Sequence, residues 1–90
     1  MTEYKLSMGC GLEFTSYLSI DYARSKAYKK AVSGGPRTKV FIYRMDKMAI
    51  PRMTGYVSNQ KERMIWTSES SKGKRIDYIL KPDGTLGRRV

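Results

Sequence analysis

Residues 19–44 read SIDYARSKAYKKAVSGGPRTKVFIYR, and the fold turns on how this stretch is read. Ile20, Ala23, Ala27, Tyr28, Ala31 and Val32 recur at helical spacing and define an apolar arc. Lys26, Lys29 and Lys30 fall on the opposite side. Ser19 is suited to the N-cap, where its hydroxyl accepts from an otherwise unpaired backbone N–H. Asp21 follows in the first turn, where a negative charge suits the helix dipole, and the lysines are expected to complement the dipole near the other end. Gly34 or Gly35 supplies the terminating residue, and Pro36 prevents continuation. Alanines at every fourth position let this helix lie close to a sheet. Arg24 interrupts the apolar arc. Its stem is expected to pack while its head reaches the edge, the alternative being a guanidinium held by a carboxylate or a phosphate.

The strand that follows, Thr38–Met45, contains the consecutive apolar residues Val40, Phe41, Ile42 and Tyr43. Such a run predicts a central strand with both faces covered, one of them by the helix. Upstream, Thr2–Met8 alternates, with Tyr4, Leu6 and Met8 on one face, as a half-buried strand does. Gly9-Cys10-Gly11 then predicts a turn, bulge or kink, because it lacks the following helix and the lysine of a phosphate-binding loop. Flanking glycines would give Cys10 the access a reactive thiol needs, but the sequence places no basic partner beside it. Downstream, Asp46–Met53 reads as irregular, since Pro51 disfavours a central strand. Thr54–Ser58 and Arg63–Ser68 predict a hairpin turning at Asn59-Gln60-Lys61, with Met64 and Trp66 on one face and Ile65 on the other. Residues 69–74 predict a loop, and Arg75–Lys81 a strand with Ile76, Tyr78 and Leu80 on one face. Lys81-Pro82-Asp83-Gly84-Thr85 is a turn signal, after which Leu86–Val90 forms a short edge strand or frays. One helix followed by a run of strands implies a small α+β domain: an amphipathic helix on one face of a mainly antiparallel sheet of four to five strands.

At 90 residues the chain is expected to form one domain with a thin core, for which shared surface between copies, as a homo-oligomer, is one remedy. No apolar run reaches the ~18–20 residues of a membrane span. The N-terminal residues lack the pattern of a signal peptide, so a cytoplasmic location is expected. A single cysteine and the absence of histidine exclude an internal disulfide, Ser-His and Cys-His nucleophilic pairs, and thiolate-histidine zinc sites. The acids show neither EF-hand spacing nor a close cluster, so no metal site, cofactor or catalytic residue is assigned.

The formal charge is +10, and it is uneven: net −2 over residues 1–23, +8 over 24–52 and +4 over 53–90. A field of this kind attracts nucleic acid, acidic proteins or anionic membrane surfaces, of which the first two are the expected partners. The candidate binding residues form two groups, Lys26, Lys29, Lys30, Arg37 and Lys39, then Lys72, Lys74 and Arg75. Such groups bind phosphates without reading sequence. Tyr22, Tyr43, Tyr56, Trp66 and Tyr78 are candidate stacking platforms, against the commoner fate of strand aromatics, which is packing. The leading expectation is a small non-enzymatic basic protein that docks on nucleic acid or on a nucleic-acid-handling complex. The alternative is a modulator or inhibitor of the phage or mobile-element type, docking on an acidic host protein. The chain also resembles small basic mRNA-cleaving toxins in size, charge and single-layer sheet. That resemblance would make Arg44, Arg63, Arg75 and Tyr78 the residues to test as a histidine-free ribonuclease site. Those toxins usually carry two helices before the sheet, where one is predicted here, and their strand motifs do not match.

Overall fold

The computed structural model describes residues 2–9, 11–48, 50–69 and 73–90. The chain order is β1 (Glu3–Ser7), α1 (Ile20–Gly34), β2 (Lys39–Met45), β3 (Pro51–Asn59), β4 (Met64–Glu69), β5 (Arg75–Leu80) and β6 (Leu86–Arg89). The six strands form one antiparallel sheet in the order β1-β2-β3-β4-β5-β6, and α1 packs on one face. The expected α+β class and strand-helix-strand-strand-strand-strand order are therefore observed, with a sixth strand formed by the tail. The radius of gyration, 12.2 Å, matches the ~12 Å of a compact chain of this length.

The helix forms where the periodicity puts it. Ser19 is the N-cap, and its Oγ accepts from the Tyr22 N–H at 3.4 Å. Ala23, Ala27 and Ala31 are all 0% exposed and lie over β1, β2 and β3. Methyl side chains allow this close approach; larger ones would overfill the layer at roughly 1–3 kcal/mol each. The apolar arc is narrower than expected, for Val32 faces solvent at 55% exposure. The last turn carries no basic side chain, so the lysines do not compensate the C-terminal dipole directly. Asn59 does part of that work from another element. Its Nδ2 donates to the carbonyls of Ala31 and Gly35, each at 3.0 Å, and so satisfies acceptors that the helix end leaves open.

Leu6, Val40, Ile42, Val57, Met64, Trp66 and Leu80 complete the core on the helix side of the sheet. Gly55 lies beside Trp66: a Cβ there would come 2.7 Å from the indole and 2.4 Å from the Thr67 carbonyl. Arg24 is held rather than snorkelling. Its Nε donates to the Gly84 carbonyl at 2.9 Å, its guanidinium pairs with Asp21 and lies over the Trp66 ring at 5.3 Å, and its side chain is 11% exposed. This corrects the snorkelling expectation, because the β5–β6 turn closes over the helix start and supplies the carbonyl.

Two other expectations change. Residues 51–53 are strand, not irregular coil, although β3 lies between β2 and β4. The pairing with β4 begins only at Gly55, so Pro51–Met53 pair with β2 alone and are locally an edge. Proline is tolerated there and at a first strand residue. A bulge at Thr54 separates the two regimes. The second change concerns β2. Val40 and Ile42 are buried beneath the helix, yet no helix or strand covers the opposite face among the described residues. No helix among them is long and apolar enough to cross a membrane.

Candidate functional site

The open face of the sheet follows from alternation along each strand. Side chains that do not point to α1 include Lys5 and Ser7 from β1, Lys39, Phe41 and Tyr43 from β2, Tyr56 and Ser58 from β3, the buried Ile65 with Thr67 and Glu69 from β4, and Arg75, Asp77 and Ile79 from β5. Register aligns five of them in one row across five strands: Ser7 opposite Phe41, Phe41 opposite Tyr56, Tyr56 opposite Thr67, and Thr67 opposite Asp77. Phe41 and Tyr56 meet as a tilted pair, centroids 5.5 Å apart and planes at 50°. The separation lies within the ~4.5–7 Å over which aromatic pairs attract.

Short and long side chains give this face its relief. Ser7, Ser58 and Thr67 are buried polar residues on the floor. The larger Phe41, Tyr56, Lys39 and Arg75 stand around them. One depression of about 480 Å³ is lined by Arg37, Lys39, Tyr56, Thr67, Arg75 and Asp77, among others. A second, of about 340 Å³, is lined by Ser7, Gly11, Leu12, Phe41, Tyr43 and Pro51, among others. The Phe41–Tyr56 pair stands where the two meet, one ring lining each.

The first depression is cationic. Lys39 Nζ sits 5.3 Å over the Tyr56 ring. Arg37 reaches the rim from the β2-side end of the helix–strand link, and its backbone is held at φ 72° while its N–H donates to the Asn59 carbonyl at 2.8 Å. A non-glycine residue in this left-handed region costs about 1–2 kcal/mol, so the position is maintained against a local penalty. Arg75 pairs with Glu69 at 3.5 Å, an exposed contact of the kind that contributes little and yields readily to a competing anion. Asp77 is the acid inside the depression, its carboxylate accepting from Thr67 Oγ1 at 2.7 Å. Three cations against Asp77, and Glu69 paired with Arg75, leave the rim net positive.

Tertiary structure therefore divides the predicted binding residues. Arg37, Lys39 and Arg75 converge on the open face, although the first two are some 36 residues from the third in sequence. Lys26, Lys29 and Lys30 lie on the helix, in the other layer. There Lys26 Nζ stands 5.3 Å over the Tyr22 ring, and Lys30 pairs with Glu13 at 3.0 Å. Lys74 immediately precedes β5 and is exposed. Lys72 and the Cys10 thiol lie outside the described residues. Of the candidate platforms, Tyr43 and Tyr56 are on the open face, while Trp66 and Tyr78 pack on the helix side. Phe41, absent from that set, is central to the face. Its register with Lys39 was readable from simple alternation, but a covered β2 consigns it to a core. Arg75 and Tyr78 are on opposite faces of β5, Arg63 precedes β4, and Arg44 stands opposite Arg52 on the helix side of the sheet; these residues do not gather in one depression. Among the described residues no group of three or more His, Cys, Asp or Glu side chains is placed to hold a metal ion.

Comparison with protein-family models found no match, and neither did comparison with curated proteins or with solved structures.

Proposed function

We propose that this protein is a small non-catalytic nucleic-acid-binding protein that docks through the open face of its sheet. One observation carries the reading: Arg37, Lys39 and Arg75 surround a depression whose wall is the Tyr56 ring, on a face that neither helix nor strand covers among the described residues. The overall charge of +10 supplies long-range attraction to phosphates. Guanidinium groups give bidentate contacts to phosphate oxygens, and lysine adds a point charge. The helix lysines form an auxiliary surface, since Lys30 is already paired with Glu13.

A second reading, docking on an acidic protein, draws support from a different feature. Phe14 is 100% exposed and Leu18 63% exposed on the segment before the helix. Apolar side chains in such a position are common at protein contacts.

The test is fluorescence anisotropy with a labelled 20-nucleotide strand and nuclease-treated protein at about 50 mM salt, a concentration at which phosphate-driven affinity is strong. Binding is expected, with the triple variant Arg37→Gly, Lys39→Ala, Arg75→Ala losing at least tenfold and the triple variant Lys26→Ala, Lys29→Ala, Lys30→Ala losing less. Absence of binding by folded wild-type protein overturns the proposal and moves the assignment to the protein-docking surface.

A further inference from the structure

We infer that the open face takes single-stranded nucleic acid, with unpaired bases stacked on Phe41 and Tyr56 and the backbone held by the cations on either side. This inference rests on the nucleic-acid reading above and narrows it to one class of strand.

The register carries it. The Phe41–Tyr56 pair lies in a row with Lys39 displaced to one side and Arg75 to the other. Rings in the middle and cations at both flanks match a strand whose bases lie inward and whose phosphates lie outward. Duplex DNA or RNA also turns its phosphates outward, but the faces of its interior bases are already occupied by stacked neighbours. A duplex can meet Arg37, Lys39 and Arg75 but leaves the two half-buried rings without a partner. Stacking on a ring needs one exposed π-face of the base, which a base unstacked from its neighbours in a single strand can present.

The dimensions agree. The two depressions together run from β5 to β1. Four interstrand spacings make this about 19 Å. That length suits a footprint of about four nucleotides, the lower end for single-strand sites built on sheets. The floor of Ser7, Ser58 and Thr67 leaves depth beside the rings for a base. Lys39 over Tyr56 is compatible with this arrangement, since a flexible lysine can swing from the ring to a phosphate.

The test measures binding of a 12-nucleotide strand, as DNA and as RNA, and of the blunt duplex of the same sequence. Tighter binding of the single strand by at least tenfold is expected. Phe41→Leu and Tyr56→Leu should each weaken single-strand binding by about 5- to 150-fold and duplex binding by less, while Tyr56→Phe retains affinity. Quenching of 2-aminopurine placed along the strand reads stacking in the wild-type protein, so a variant that unfolds does not remove the test. Equal or tighter duplex binding, with no quenching, overturns this inference and leaves the nucleic-acid reading standing. No binding to any of the strands at low salt overturns both. A preference between the DNA and RNA strands assigns the sugar.

Discussion

At the scale of single residues, Arg37 joins backbone strain to a place in the candidate site. Its φ of 72° suits glycine, and Gly35 precedes it in the same link, yet the chain carries an arginine at this position. A residue kept at a local penalty is kept for its side chain or for the backbone bond it makes. Two substitutions separate these. Arg37→Gly relieves the strain and removes the guanidinium; Arg37→Ala removes it and retains the strain. Urea denaturation should find the glycine variant more stable than the alanine variant by about 1 kcal/mol, with both binding nucleic acid equally weakly. Equal stability of the two would remove strain from this account. Arg24 shows the same economy with a structural outcome: its charge is spent on Asp21, the Gly84 carbonyl and the Trp66 face, which leaves it no role on the surface.

Among the elements, the β5–β6 turn is the piece that joins the far edge of the sheet to the helix. Gly84 has φ 89°, and a Cβ there would lie 1.8 Å from the Asp21 carbonyl oxygen. Ser25 Oγ donates to the Pro82 carbonyl at 2.8 Å from the next helical turn. Gly84→Ala should therefore destabilise the fold by about 3 kcal/mol through overpacking, measured by thermal or urea unfolding. A loss under 1 kcal/mol would mean that the turn can move off the helix. The turn also has a pH dependence of known sign. The Thr85 hydroxyl, then the Thr85 amide, donate to the Asp83 carboxylate and hold its pKa below the ordinary value. Because the folded pKa is depressed, this contribution is complete above the ordinary carboxylate range, near ~4, and is lost as pH falls through the depressed value. Carboxyl NMR titration should show Asp83 titrating below a model peptide, with Thr85→Val returning it toward normal.

For the whole molecule, asymmetry between the two faces of the sheet is the organising fact. One face is sealed by a helix that presents alanines, and the other is left with rings, short polar side chains and a cationic rim. Each phosphate contact on a single strand contributes about −0.7 to the slope of log K against log salt. Contacts from Arg37, Lys39 and Arg75 thus predict a slope near −2, and Arg75→Ala should reduce it by about 0.7. A slope of about −4 would require the helix lysines as equal partners. A slope near zero would exclude phosphate contact.

Sequence alone determined the helix, its cap and stop, the alanine row, the hairpin and the β5–β6 turn, because these depend on local periodicity and on the φ preferences of a few residues. It also determined the excess of positive charge. Pro51 misled because a proline's cost depends on which neighbour needs its missing N–H, and that is a matter of register. Arg24 misled because its partners Gly84 and Trp66 are distant in sequence. The candidate site belongs almost wholly to the tertiary structure. Strand order brings Arg37 and Lys39 to Arg75, sends the helix lysines to the other layer, and turns Phe41 and Tyr56 toward each other on an open face. Local preferences set which segments become strands, but only long-range pairing decides which side chains share a face and which face the helix covers.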